Sequence, residues 1–137
     1  MSSTYIVEIL FLFLGLIFVV DSADPSRFKE AKDELFGILA STEMSRVPVL
    51  ILANKQDIEC AQALETVSNE LQLFSIPEQH KWKVQPCSAT KNEGIVEGLQ
   101  AFSRMVKDHK KEKKPWTFHQ TVFVFVDVRK FFFCFIV

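Results

Sequence analysis

An α/β fold built on a parallel sheet, with helices on both faces, is what this sequence predicts, and three observations predict it. Runs of strand length recur at 14–20, 47–53 and 82–87, the first two of them continuously apolar. Each is followed by a stretch in which apolar residues return at helical spacing. The first two runs are rich in β-branched residues and do not alternate with polar ones, as expected of strands buried on both faces. Strand–helix repetition of this kind marks βαβ units. A chain of 137 residues, 48% apolar and 24% charged, has room for one such domain and enough apolar surface to fill it.

The elements follow in order. The run 14–20 is the first strand. Asp24 then stands where a helix N-cap belongs, and Pro25 where a helix tolerates proline. Phe28, Ala31, Leu35, Ile38 and Leu39 form one apolar stripe, with Arg27, Lys29, Glu30, Lys32, Asp33 and Glu34 on the other face. The run 47–53 is a second buried strand, its Pro48 tolerable near the start. Leu64, Val67 and Leu71 mark a second helix. The run 82–87 is a third, short strand. Ile95, Leu99, Phe102 and Val106 mark a third helix of about three turns. In sheets of this kind ligands sit beyond the carboxyl ends of the strands. The places to look are therefore residues 21–24, 54–57 and 88–94.

Several function classes are disfavoured. Sixteen basic against seventeen acidic residues leave a net charge of −1, which argues against a nucleic-acid binder. Cys60, Cys87 and Cys134 are an odd number, far apart, and point to a reducing compartment and no cysteine metal site. Cys87 reads as a small buried hydrophobe and not a nucleophile. His80, His109 and His119 show no metal-ligand spacing. The apolar run 9–20 is shorter than the ~18–20 residues that span a bilayer, and no basic residue precedes it. Ser2 stands where myristoylation needs glycine.

The last thirty residues change character. The run 107–114 carries Lys107, Lys110, Lys111, Lys113 and Lys114, and reads first as a solvated helix end, second as a patch for an anionic membrane surface. Seven of the fourteen phenylalanines lie beyond residue 115. Segment 121–128 alternates bulky and β-branched residues. Segment 131–137 is apolar to the end and reads as a strand wanting a partner.

The chemistry is carried by Asn54-Lys55-Gln56-Asp57, directly after the second strand. Together with Gly15-Leu16-Ile17-Phe18-Val19-Val20-Asp21-Ser22-Ala23-Asp24 and Gly94-Ile95-Val96-Glu97-Gly98-Leu99, it resembles the C-terminal half of an ADP-ribosylation-factor-like small GTPase, over about residues 15–110. The resemblance implies a partial three-layer GTPase fold of about three parallel strands. Residues 1–14 would be a hydrophobic extension, and residues 111–137 a lysine-rich linker and Phe-rich tail, both outside the family pattern. It implies GTP or GDP as ligand, with the base held by Asn54, Lys55, Asp57, Ser88, Ala89 and Thr90. Guanine presents a ring N–H and an exocyclic amino group on one edge, and a single carboxylate accepts from both; the matching residue is Asp57. Adenine lacks that donor pair and would leave a desolvated carboxylate unpaired. Lys55 would lay its methylene stem along the base, Asn54 would tie the loops together, and the Ala89 N–H would meet the base carbonyl.

No Gly-x-x-x-x-Gly-Lys-Ser/Thr loop, switch threonine or Asp-x-x-Gly segment of the family occurs in the sequence. The chain is therefore expected to start about halfway through the domain, as a splice variant, degenerate copy or misassembled gene model would. Weak or absent nucleotide binding, no Mg²⁺ site, no catalytic residue and no GTP hydrolysis are the expectations. The resemblance also implies vesicle trafficking, family effectors or regulators as partners, and a cytoplasmic location peripheral to Golgi or other endomembranes. The alternative is a non-catalytic fragment that acts as an interaction module, or has no activity. In the family the strand matching 14–20 lies mid-sheet beside the phosphate-loop strand. Its open edge is expected to be covered by segment 121–128 or by residues 5–12.

Overall fold

Strand β1 (Leu12–Asp21) sorts the core into two layers by simple alternation. The computed structural model describes residues 12–112, 120–126 and 132–136. On one side of the sheet Leu16, Phe18 and Val20 pack with Val49, Ile51 and Ala53 of β2 (Val49–Asn54), beneath α1 (Phe28–Leu39) and α2 (Leu64–Glu70). On the other side Ile17, Leu50 and Leu52 pack with Cys87 and with Phe102 of α3 (Ile95–Glu112). Phe28, Ala31, Leu35 and Leu39 are the buried stripe of α1, as their spacing predicts. A fully buried Leu or Phe contributes about 1.5–3 kcal/mol, so each layer is held chiefly by such side chains.

Strand β3 (Trp82–Pro86) pairs parallel with β2, and β2 pairs parallel with β1. Two further strands, β4 (Gln120–Val126) and β5 (Phe132–Ile136), belong to the same sheet. The order is β3-β2-β1-β4-β5. β4 runs parallel to β1 on the side away from β2, with Ile17 opposite Val124, and β5 pairs antiparallel with β4. The sheet is thus wider than the three parallel strands expected, and the edge of β1 is covered by 120–126. Residues 5–11 lie outside the described residues, as do His119 and the linker 113–119.

Three local expectations are corrected. Asp24 does not cap α1: a 3-10 turn, Pro25–Arg27, intervenes, and the Asp24 side chain makes no capping bond to its backbone. The carboxylate is engaged instead by the Ser26 hydroxyl and by Arg27 at 3.2 Å. The third helix is eighteen residues long, not three turns, and takes in Lys107, which is exposed. Leu99 is 43% exposed, while Gly98 faces the sheet. A Cβ on Gly98 would stand 3.1 Å from both the Leu52 Cδ2 and the Gln85 Cγ, so the helix approaches closest where there is no side chain. Periodicity read from large apolar residues alone overlooks such a position. His80, in a segment that reads as irregular, is buried, and its Nδ1 lies 2.9 Å from the Val47 carbonyl.

Candidate functional site

The carboxyl ends of β1, β2 and β3 carry three loops that are stitched to one another by backbone hydrogen bonds. In the parallel ladder Asp21 lies opposite Asn54, so the first two loops leave the sheet side by side. The Ser22 N–H donates to the Asn54 carbonyl at 3.1 Å, and the Gln62 N–H to the Ser22 carbonyl at 2.8 Å. From the second loop the Gln56 N–H donates to the Cys87 carbonyl at 3.1 Å, and the Gln56 side-chain amide to the Gln62 carbonyl at 3.2 Å. Gln56, the one tetrad residue to which the resemblance gives no role, is therefore a clamp between neighbouring loops.

Five of the six candidate residues come together. Asn54 Oδ1 accepts the Ala89 N–H at 3.0 Å and lies 3.7 Å from the buried Cys87 Sγ. The Ser88 hydroxyl donates to Asp57 Oδ1 at 2.8 Å, and Thr90 Oγ1 to Asp57 Oδ2 at 3.3 Å. Ser88 is itself buried and accepts the Lys91 N–H at 3.3 Å, which holds its oxygen in place. Asp57 is exposed, and the Ser88 hydroxyl is the main reason its carboxyl sits below its ordinary pKa. The arrangement presents an ionised carboxylate outward with one neighbour on each oxygen. Each carboxylate oxygen has about two acceptor sites, so one on each is left for a ligand donor.

Gly94 makes the third loop possible. Its φ is +77°, and a Cβ there would lie 2.2 Å from the Pro86 carbonyl oxygen. The loop closes through reciprocal Ser88 and Glu93 backbone bonds at 2.9 and 3.0 Å, and α3 starts immediately after Gly94. Glycine is required here by both conformation and space.

Lys55 is the sixth candidate residue, and its ammonium is held from the end of β1 and not from the third loop. Its backbone is in the left-handed region, at φ +67°. Its Nζ lies 2.8 Å from Asp21 Oδ2, across the ends of β1 and β2. Asp21, like Gln56, is a residue that sequence reasoning placed near the site without a role. Its contact with Lys55 joins residues 34 apart in the chain and depends on strand register, which no local pattern displays.

Residues 11–106 match the ADP-ribosylation factor family. The chain belongs to that family. Among its curated relatives, ADP-ribosylation factor K of Dictyostelium discoideum is 46% identical over 85 residues, covering 62% of this chain and 45% of that protein. ADP-ribosylation factor-like protein 3 of Chlamydomonas reinhardtii is 40% identical over 93 residues, 68% of this chain and 52% of its own length. The protein of that name from Caenorhabditis elegans is 45% identical over 84 residues, 61% and 45%. The chain spans about half the length of the curated relatives it matches. The match ends within α3, so β4 and β5 lie outside the family region. Among the described residues no helix is long and apolar enough to cross a membrane.

Proposed function

We propose that this chain is a guanine-nucleotide-binding protein whose carboxyl-edge loops read the base of GDP or GTP. The observation that carries the reading is the Asp57 carboxylate, ionised, exposed, and held from behind by Ser88 and Thr90. Both of its oxygens keep an acceptor site for the paired N–H donors of guanine. Asn54, Ser88, Ala89 and Thr90 fix that carboxylate relative to the third loop, and Lys55 covers the base with its stem. The Ala89 N–H, which the family resemblance reserves for the base carbonyl, is held by Asn54 Oδ1 in the free protein. On binding it is shared between the two acceptors. Affinity is weak, because these 137 residues include no Gly-x-x-x-x-Gly-Lys-Ser/Thr loop to cradle phosphates or seat Mg²⁺. The chain by itself does not hydrolyse GTP, for the same reason.

Family membership supports a cytoplasmic role in vesicle traffic, with effectors or regulators of the family as partners. The run 107–114 supports contact with an anionic membrane surface of the Golgi or another endomembrane. The test is a titration of the purified chain with fluorescent GDP, with ADP as control. Saturable binding is expected, with guanine favoured, and Asp57→Ala is expected to reduce that preference about 100-fold or more in a chain that still unfolds cooperatively. A folded chain that binds neither nucleotide would favour the alternative, an interaction module without nucleotide chemistry.

A further inference from the structure

We propose that Asp21 is a positioning residue for Lys55, fixing the lysine over the base site before nucleotide arrives; this rests on the base-recognition reading above. The two oxygens of Asp21 have separate partners. Oδ1 accepts the Ala23 N–H at 2.9 Å, a local turn that fixes the carboxylate itself. Oδ2 accepts from the Lys55 ammonium at 2.8 Å. The strand register puts Asp21 opposite Asn54, so the carboxylate stands beside the residue that precedes Lys55. Lys55 has a positive φ, +67°, and its ammonium reaches that carboxylate.

A lysine stem has four rotatable bonds, and ordering it over a ligand normally opposes binding. Here the ammonium is anchored in the free protein, so the ordering precedes binding and the stem is preorganised. The magnitude is bounded by exposure. The two side chains are 48% and 34% exposed, and water screens a pair of that kind. Its loss is expected to weaken binding by about three- to fivefold, and by less at high salt.

A double-mutant cycle on the full chain tests this, using fluorescent GDP, with Asp21→Asn, Lys55→Ala and the pair together. Asp21→Asn keeps an oxygen for the Ala23 N–H and removes the charge that holds Lys55. The expected result is a three- to fivefold weaker affinity for Asp21→Asn, an unchanged melting temperature, and no further loss when it is added to Lys55→Ala. The ¹³C-methyl signal of reductively methylated Lys55 should shift in Asp21→Asn without any nucleotide present. If Asp21→Asn binds like the wild type, or loses the same factor with and without Lys55, the positioning role is overturned. The base-recognition reading stands in either case, provided that Asp57→Ala still removes guanine preference. If the unmodified chain binds no GDP at all, the base-recognition reading falls and this role falls with it.

Discussion

Strands β1 to β3 and strands β4 to β5 belong to one sheet but lie on opposite sides of the family boundary. Each of the first three is followed by a helix, and the helices bury Leu16, Phe18 and Ile51 on one face and Ile17, Leu50 and Leu52 on the other. β4 and β5 are joined to the sheet through their ladders, β4 parallel to β1 and β5 antiparallel to β4. The first group lies within the family match and the second outside it. The difference shows what a strand edge demands. A strand covered by helices, as β1 and β2 are, must have side chains that fit two helix layers. A strand added to an edge must supply an extended backbone with free N–H and C=O groups and a tolerable composition, which unrelated sequences supply readily. The candidate site follows the same division: all its residues lie at the carboxyl ends of β2 and β3 or on the loops that follow them.

Substitutions should separate the two regions. Leu35→Ala removes a fully buried side chain of α1 and is expected to lower unfolding stability by about 2–5 kcal/mol, measured by urea titration. A loss of less than about 1 kcal/mol would mean that this layer is not the stabilising one. Val124→Pro removes one N–H from the middle of β4, opposite Ile17 and Phe133. It is expected to cost less than Leu35→Ala and to speed amide exchange across residues 16–20 selectively, leaving residues 64–70 unchanged. Rapid exchange at 16–20 in the unmodified monomer would show that β4 does not cover this edge. Gly94→Ala forces a side chain into a left-handed position against Pro86 and is expected to cost about 1–3 kcal/mol. The same change should weaken GDP binding by displacing Ser88 and Ala89, whereas Val124→Pro should leave affinity alone.

The smallest expected effect is that of pH. The hydrogen bond from Ser88 keeps the Asp57 carboxyl below its ordinary pKa. Its contribution is therefore fully present above that ordinary value and is lost only as pH falls through the lowered one. GDP affinity should be flat between about pH 5 and 8 as far as Asp57 is concerned, and fall below about pH 4. A midpoint near neutrality would exclude Asp57 as the controlling group.

Much of the fold was legible because burial and period coincide in β1 to β3 and in α1. The reading failed where the decisive residue carries little signal. Gly98 is invisible to a count of large apolar side chains, and so the exposed Leu99 took its place. The alternation at 121–128 marked a strand and made it one of two segments expected at the open edge of β1, and the ladder places β4 there. In the site, the tetrad and the Ser88-Ala89-Thr90 loop were legible from order alone. The links made by Gln56 and Asp21 were not, because they depend on which strands are neighbours and in what register.

The place of β4 has a consequence for biosynthesis. β1 meets β2 after a few tens of residues, yet its other neighbour lies about a hundred residues further along the chain. At the ribosome, synthesis proceeds at roughly 5–20 residues per second, so one flank of β1 waits on the order of five to twenty seconds for its partner. During that interval an apolar strand is open to any extended segment nearby. The nascent chain is therefore most in need of a chaperone after α3 has emerged and before β4 has.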